Sequence, residues 1–201
     1  FAPGQQLDVA EQAVLAVPLA SRTRWRIIEV AKGNAVPGRV ITEPVDGADA
    51  AAIRAGRPFF LLRHEQWPRW SSVGTIGVEH AGWLRQLAAT GPTADRPDVD
   101  ERGRVALVSP YLEHAEPLAA LIAYGEIARA PYGALRSLKP RLDPAAVARW
   151  LDDPKLAARR PAYTLLLGIA GGPADTERLE RRLDAAWASG DATNLGAMLA
   201  A

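Results

Sequence analysis

The apolar residues of this chain change period once, and that single change limits the fold most. Up to about residue 80 they come in short runs and alternations of strand length, while beyond residue 100 they recur every three to four positions, as on one face of a helix. A chain patterned this way cannot be one uniform architecture; it places a sheet first and helices after it, an α+β organisation. Between the two regimes lies Thr90 to Asp100 (TGPTADRPDVD), polar, with two prolines and one glycine. It reads as a linker. The expected organisation is therefore a β domain over 1–89 with a connecting helix at its end, a linker over 90–100, and a helical domain over 101–201.

In the first part, Ala13 to Val17 is an apolar run closed by Pro18, the length of a buried strand. From Thr23 to Val30, Trp25 and Ile27 alternate with Arg24 and Arg26, and the apolar phase then shifts at Ile28 and Val30, which predicts a bulge. Lys32-Gly33-Asn34 and Pro37-Gly38 mark a turn, Arg39 to Val45 is a third strand, and Ala48 to Ala55 is a short helix stopped by Gly56. Pro58-Phe59-Phe60-Leu61-Leu62 is apolar on both faces and reads as a central strand, with Ser72 to Val78 as a fifth. Five short strands with turns between them predict a small antiparallel β-barrel of OB type.

The order of these segments is also familiar. The apolar first strand is followed by Trp25-Arg26-Ile27-Ile28-Glu29-Val30-Ala31-Lys32-Gly33, then Pro37-Gly38-Arg39-Val40-Ile41, then Gly56-Arg57-Pro58-Phe59-Phe60-Leu61-Leu62. Together they resemble the OB-like, netrin/TIMP-like β domains of uncharacterised exported bacterial proteins. The resemblance covers about residues 10 to 80 and implies a fold. The chain lacks every cysteine of the animal members, so it does not imply protease inhibition.

The second part predicts helices. Val105, Val108 and Leu112 form a stripe broken at Pro110, and Pro117 suits the first position of the next helix, with Leu118, Leu121, Ile122 and Ala128 inward. Asp143-Pro144 is an N-cap followed by proline at the first helical position, with Val147, Trp150 and Leu151 behind it. Arg159 to Ala170 is nearly apolar from Tyr163 onward and should be the buried helix; Gly171-Gly172 stops it. Pro173 starts a partner whose stripe is Leu179, Leu183 and Trp187. Ile127-Ala128-Arg129-Ala130-Pro131 echoes Ile169-Ala170-Gly171-Gly172-Pro173, and Arg141-Leu142-Asp143 echoes Arg182-Leu183-Asp184, spacings of about 40 residues that suit HEAT-type repeats. The region thus resembles HEAT-like helical hairpins in architecture, although Asp143 should cap a helix and Asp184 lie inside one.

Composition narrows the functional classes. With 24 basic and 23 acidic residues there is no basic surplus of the kind nucleic-acid binders carry. No apolar run reaches the roughly 18 residues that suggest a membrane helix. There is no cysteine, which removes thiolate nucleophiles and Cys-ligated metals. A cysteine-free chain that begins at Phe1 suits a processed periplasmic or secreted protein, with the cytoplasm as the other setting.

Candidate sites are few. His64 and His80 with Glu65 would make a metal or enzyme site if the two halves of the chain bring them together across an inter-domain crevice, but no local spacing pairs the imidazoles. No serine sits in a Gly-x-Ser-x-Gly elbow. Gly171-Gly172-Pro173 could hold an anion on free N–H groups, but reads more simply as a turn between helices. Arg178, Arg181 and Arg182 could meet nucleic acid, yet interleaved acidic residues point to a self-paired face. The sharpest feature is Trp67-Pro68-Arg69-Trp70, residue types that make binding hot spots. The stronger reading of the two rings is that they pack against the helical half and join the domains, since paired exposed tryptophans cost solubility. With no catalytic set assembled and no cofactor implied, the expected function is a non-enzymatic module that binds another protein.

Overall fold

The structure, a computed structural model, describes residues 2–20, 23–93 and 97–201. It is mixed α+β, with a six-stranded sheet curled into a half-barrel followed by a helical region. The strands are β1 (Gln12–Pro18), β2 (Trp25–Lys32), β3 (Val40–Ile41), β4 (Val45–Asp46), β5 (Phe59–His64) and β6 (Trp67–Thr75), in spatial order β3-β2-β1-β5-β6-β4. Neighbours are antiparallel except β4 and β6, which run parallel.

β1 and β5 lie at the centre of the sheet, which is why Ala13–Ala16 and Phe59–Leu62 are apolar on both faces. One face carries Val14, Ala16, Trp25, Ile27, Ile41, Phe59, Leu61 and Trp70 as a single buried cluster. Within it the rings of Trp25 and Phe59 meet edge to face at 5.0 Å. Ala13, Leu15, Phe60 and Leu62 alternate with these and are equally buried. The shift of apolar phase in β2 is a bulge: Leu15 faces Glu29 and Ala16 faces Ile27, so Ile28 is the extra residue.

The expected third strand is two short ones, separated by Thr42-Glu43-Pro44. Proline has no N–H to give to a ladder, and the chain leaves β2 there and pairs with β6 instead. That parallel pair makes the sheet mixed rather than purely antiparallel. Helix α2 (Ala50–Arg54) follows, capped by Asp49, whose carboxylate accepts from Ala52 N–H at 2.8 Å, and ended by Gly56 at φ +65°.

An N-terminal helix, α1 (Pro3–Val9), occupies what reads in sequence as a loose lead. It is tied down by charges. Lys32 Nζ donates to the carbonyls of Leu7 at 3.0 Å and Asp8 at 2.7 Å, at the negative end of the helix. Arg104, only 2% exposed, donates from Nε to Glu126 Oε2 and from Nη1 to Asp8 Oδ1 at 2.8 Å. Its Nη2 lies 3.4 Å from the Gly4 carbonyl. A Cβ at position 4 would overlap the Glu126 carboxylate, so glycine lets α1 come this close. Burial alone would lower the pKa of Arg104, but the hydrogen bonds and charges of Glu126 and Asp8 outweigh it and hold the guanidinium above its ordinary value.

Helix α3 (Ala81–Thr90) buries Trp83, Leu84 and Leu87, and α4 (Glu101–Val108) packs against it. Between them the backbone N–H of Asp100 donates to Thr90 O at 3.1 Å, closing the 90–100 stretch into a loop; its residues 94–96 lie outside those described. After a tight turn at Ser109–Tyr111 comes α5 (Pro117–Arg129). By contact density the chain divides into two units, 1–126 and 127–201, so the loop and α4 belong to the first.

The second unit comprises α6 (Tyr132–Arg136), α7 (Pro144–Asp152), α8 (Arg160–Ala170), α9 (Pro173–Ser189) and α10 (Leu195–Ala200). Asp143 caps α7, accepting from Ala145 N–H at 3.0 Å. α8 is the buried helix, with Ala162, Tyr163, Leu166, Leu167 and Ile169 enclosed and α7, α9 and α10 around it. Trp187, expected on the inward stripe of α9, is 83% exposed. At about 100° per residue Ala186 falls beneath Leu179, whereas Trp187 stands about 80° round the helix.

Candidate functional site

The hairpin of β5 and β6 turns at Glu65-Gln66 and holds the tryptophan pair. Arg63 pairs with Trp70, but the next pair is His64 with Trp67, so Pro68 and Arg69 have no opposite residues. This bulge separates the two rings. Trp70 points into the half-barrel and is 3% exposed; Trp67 is 65% exposed. The reading of both rings as glue against the helical half is thereby corrected: Trp70 belongs to the buried cluster of its own sheet, with Val14, Trp25, Ile41 and Phe59, and Trp67 stays outside. Arg69 is exposed beside it, 3.8 Å from Asp46 of β4. Val9, at the end of α1, adds a second exposed apolar side chain, and its carbonyl lies 3.4 Å from His64 Nδ1.

His64, Glu65 and His80 are not brought together. Among the described residues no three His, Asp or Glu side chains are grouped so as to hold a metal ion. His64 sits at the hairpin end by Val9, Glu65 is exposed in the turn, and His80 is buried in an aromatic cluster. There Trp83 stacks on Tyr111 at 4.2 Å, and the His80 ring lies 5.4 Å from His114 and 5.7 Å from Tyr111. His114 Nδ1 accepts from the Glu116 N–H at 3.0 Å, and Glu116 Oε2 accepts from Gly77 N–H at 3.2 Å. These contacts fasten α3 to the turn at 109–111. The sequence separates the four aromatic residues by up to 34 positions, so nothing local in it announces the cluster.

The concave side of the sheet ends in a cavity of about 280 Å³. Of its lining residues, the buried Ile27, Ile41 and Trp70 make the floor, the half-buried Gln12 and Arg63 the wall, and the exposed Asn34, Arg39, Thr42 and Glu43 the mouth. Gln12, Arg63 and Trp70 form one row across β1, β5 and β6. Arg63 continues the inward alternation of Phe59 and Leu61, and Gln12 that of Ala16 and Val14. That alternation is the signal by which sequence could have found the cavity, but the uninterrupted run Phe59–Leu62 hides it.

In the second unit the arginines of α9 are paired. Arg178 and Arg182 of α9 both reach the carboxylate of Asp152 at the end of α7, and Arg181 lies 3.8 Å from Glu177. At the start of α9, the Asp175 carboxylate accepts from Gly172 N–H at 3.1 Å. An internal anion thus holds the N–H that a bound anion would use. Comparison with protein families, with curated proteins and with solved structures finds no match to this chain.

Proposed function

We propose that the chain is a non-enzymatic protein-interaction module whose binding surface is the tip of the β5–β6 hairpin. The observation that carries this reading is the separation of the two tryptophans: Trp70 serves the core, which leaves Trp67 with no packing duty at 65% exposure. Tryptophan and arginine side by side supply flat apolar area and a planar cation, the chemistry most enriched in binding hot spots. Among the described residues Arg69 is held by one long contact, to exposed Asp46, worth little in water and easily exchanged for a partner's carboxylate.

The wider architecture supports an interaction role. The half-barrel is of OB type in this reading, which is supported by the strand order, by the short parallel pair between β4 and β6, and by the helix between the third and fourth principal segments. The helical hairpins of the second unit are HEAT-like, supported by α7, α8 and α9 packing in succession and by the echo at Pro131 and Pro173, each at a helix start. Nucleic-acid binding by the helical unit is the weaker reading, because Arg178 and Arg182 are already engaged by the Asp152 carboxylate.

The test is site-directed crosslinking. A photoreactive residue at position 67 should give a discrete conjugate with one protein of the source cell, and Arg69→Glu added to the same chain should abolish it. The same residue at Val36, which is also exposed, should give none. Equal labelling from both positions, or none from position 67, overturns the proposal.

A further inference from the structure

We infer that the half-barrel cavity is a binding site for a small organic carboxylate, separate from the hairpin surface. Arg63 continues the inward row of Phe59 and Leu61 in β5, where an apolar side chain would extend the core. Instead a guanidinium is built into the wall, and its Nε is closed off from solvent with no hydrogen-bond partner among the described residues. An arginine set in an otherwise apolar row of a cavity wall, with no carboxylate paired to it among the described residues, calls for an anion from outside the chain.

The surrounding side chains define that anion. Arg39 also lines the cavity, and neither arginine makes an ion pair among the described residues. Arg104, by contrast, is matched by two carboxylates. Glu43 stands at the mouth, so the lining carries two positive charges against one negative, a balance that suits a single anionic charge. A carboxylate meets the planar guanidinium in its preferred geometry. The floor of Ile27, Ile41 and Trp70 is apolar and takes the body of the ligand, while Gln12 and Asn34, joined by a side-chain hydrogen bond at 3.2 Å, offer further polar groups at the rim. About 280 Å³ lies just below the usual range for ligand sites, room for one ring with small substituents.

Benzoate is the minimal probe of this chemistry, with benzyl alcohol as its neutral counterpart, read by calorimetry and by the Trp70 indole N–H resonance. Benzoate should bind and shift that resonance, and benzyl alcohol should bind at least about tenfold more weakly. Arg63→Met should remove most of the benzoate affinity while leaving the melting temperature unchanged or raised, because the variant keeps the stem and removes the orphan donor. Arg39→Met should weaken binding as well. The inference is overturned if benzoate does not bind, if the alcohol binds as well, or if Arg63→Met lowers the melting temperature, which would make Arg63 a structural residue. None of these measurements involves position 67, so their outcome is independent of the hairpin proposal.

Discussion

Both units of this protein pair arginine with carboxylate, and burial makes the two arrangements unlike. In the first, Arg104 is enclosed and joins α1, α4 and α5, drawing on partners 14 to 100 residues away in the chain. In the second, Asp152 draws in Arg178 and Arg182 at the surface, where each of the three side chains keeps more than a quarter of its area in water. The chemistry is the same; the solvent decides what it is worth. Removing one partner from a buried set strands the others in low dielectric, whereas an exposed carboxylate that loses its partner is taken up by water. Arg104→Ala should therefore have the largest effect among the ion-pair residues of either unit, costing about 3–5 kcal/mol in chemical denaturation. A loss under about 1 kcal/mol would mean water reaches Asp8 and Glu126, and the contrast between the units would collapse. Replacing Arg104 and Glu126 together by methionine should recover part of the loss, since an apolar pair strands less charge.

The tryptophans repeat the comparison within one strand. Trp70→Ala should cost about 3–5 kcal/mol, as expected for a large ring removed from a packed core. Trp67→Ala should stay within about 0.5 kcal/mol of wild type, as should Arg69→Ala. Thermal melts of the three variants check this, and a large drop for Trp67→Ala would return that ring to a structural role.

These pairs also mark how far the sequence can be read. Alternation and turn residues locate β1, β2, β5, the bulge at Ile28, the cap at Asp143 and the buried helix α8, because each is set by neighbours a few positions apart. The division of labour between Trp67 and Trp70 is not legible, since it depends on a register shift two residues wide. Helix α1 escapes a sequence reading because its stability comes from Lys32 and Arg104 rather than from its own short sequence. The metal trio His64, Glu65 and His80 fails for a related reason: with no local spacing to pair them, only tertiary placement could decide, and it separates them. Arg63 is open to discovery by alternation, yet the run Phe59–Leu62 is apolar on both faces and conceals which face the arginine continues.

The surface end of the comparison predicts a smaller effect. Asp152→Ala removes the acceptor of both Arg178 and Arg182, but all three groups are solvated, so the loss should be about 0–1 kcal/mol. It should shrink further in high salt, where the Arg104 variants should keep their full deficit. A salt-insensitive loss would show that the α7–α9 pair is shielded.

The smallest expected effect lies at Lys32, between the two extremes. Its ammonium is partly buried under α1: desolvation lowers its pKa from the ordinary 10.5, the Asp8 charge opposes that shift, and Arg104 adds to it. The folded value therefore lies below the unfolded one. Between the two values the unfolded chain holds more protons, so raising the pH through this alkaline window should stabilise the native state. The rise begins at the lowered folded value and ends near 10.5, above which both states are neutral at this site. The neutral amine still donates to Leu7 O and Asp8 O, so deprotonation relieves the cost of desolvation without freeing α1. Lys32→Met removes the titrating group, and the difference in stability between wild type and variant should drift in favour of wild type as the pH climbs toward 10.5. A drift in the opposite direction would mean that attraction to Asp8 exceeds desolvation at Lys32, making it a small copy of Arg104 rather than an intermediate between the buried and exposed arginines.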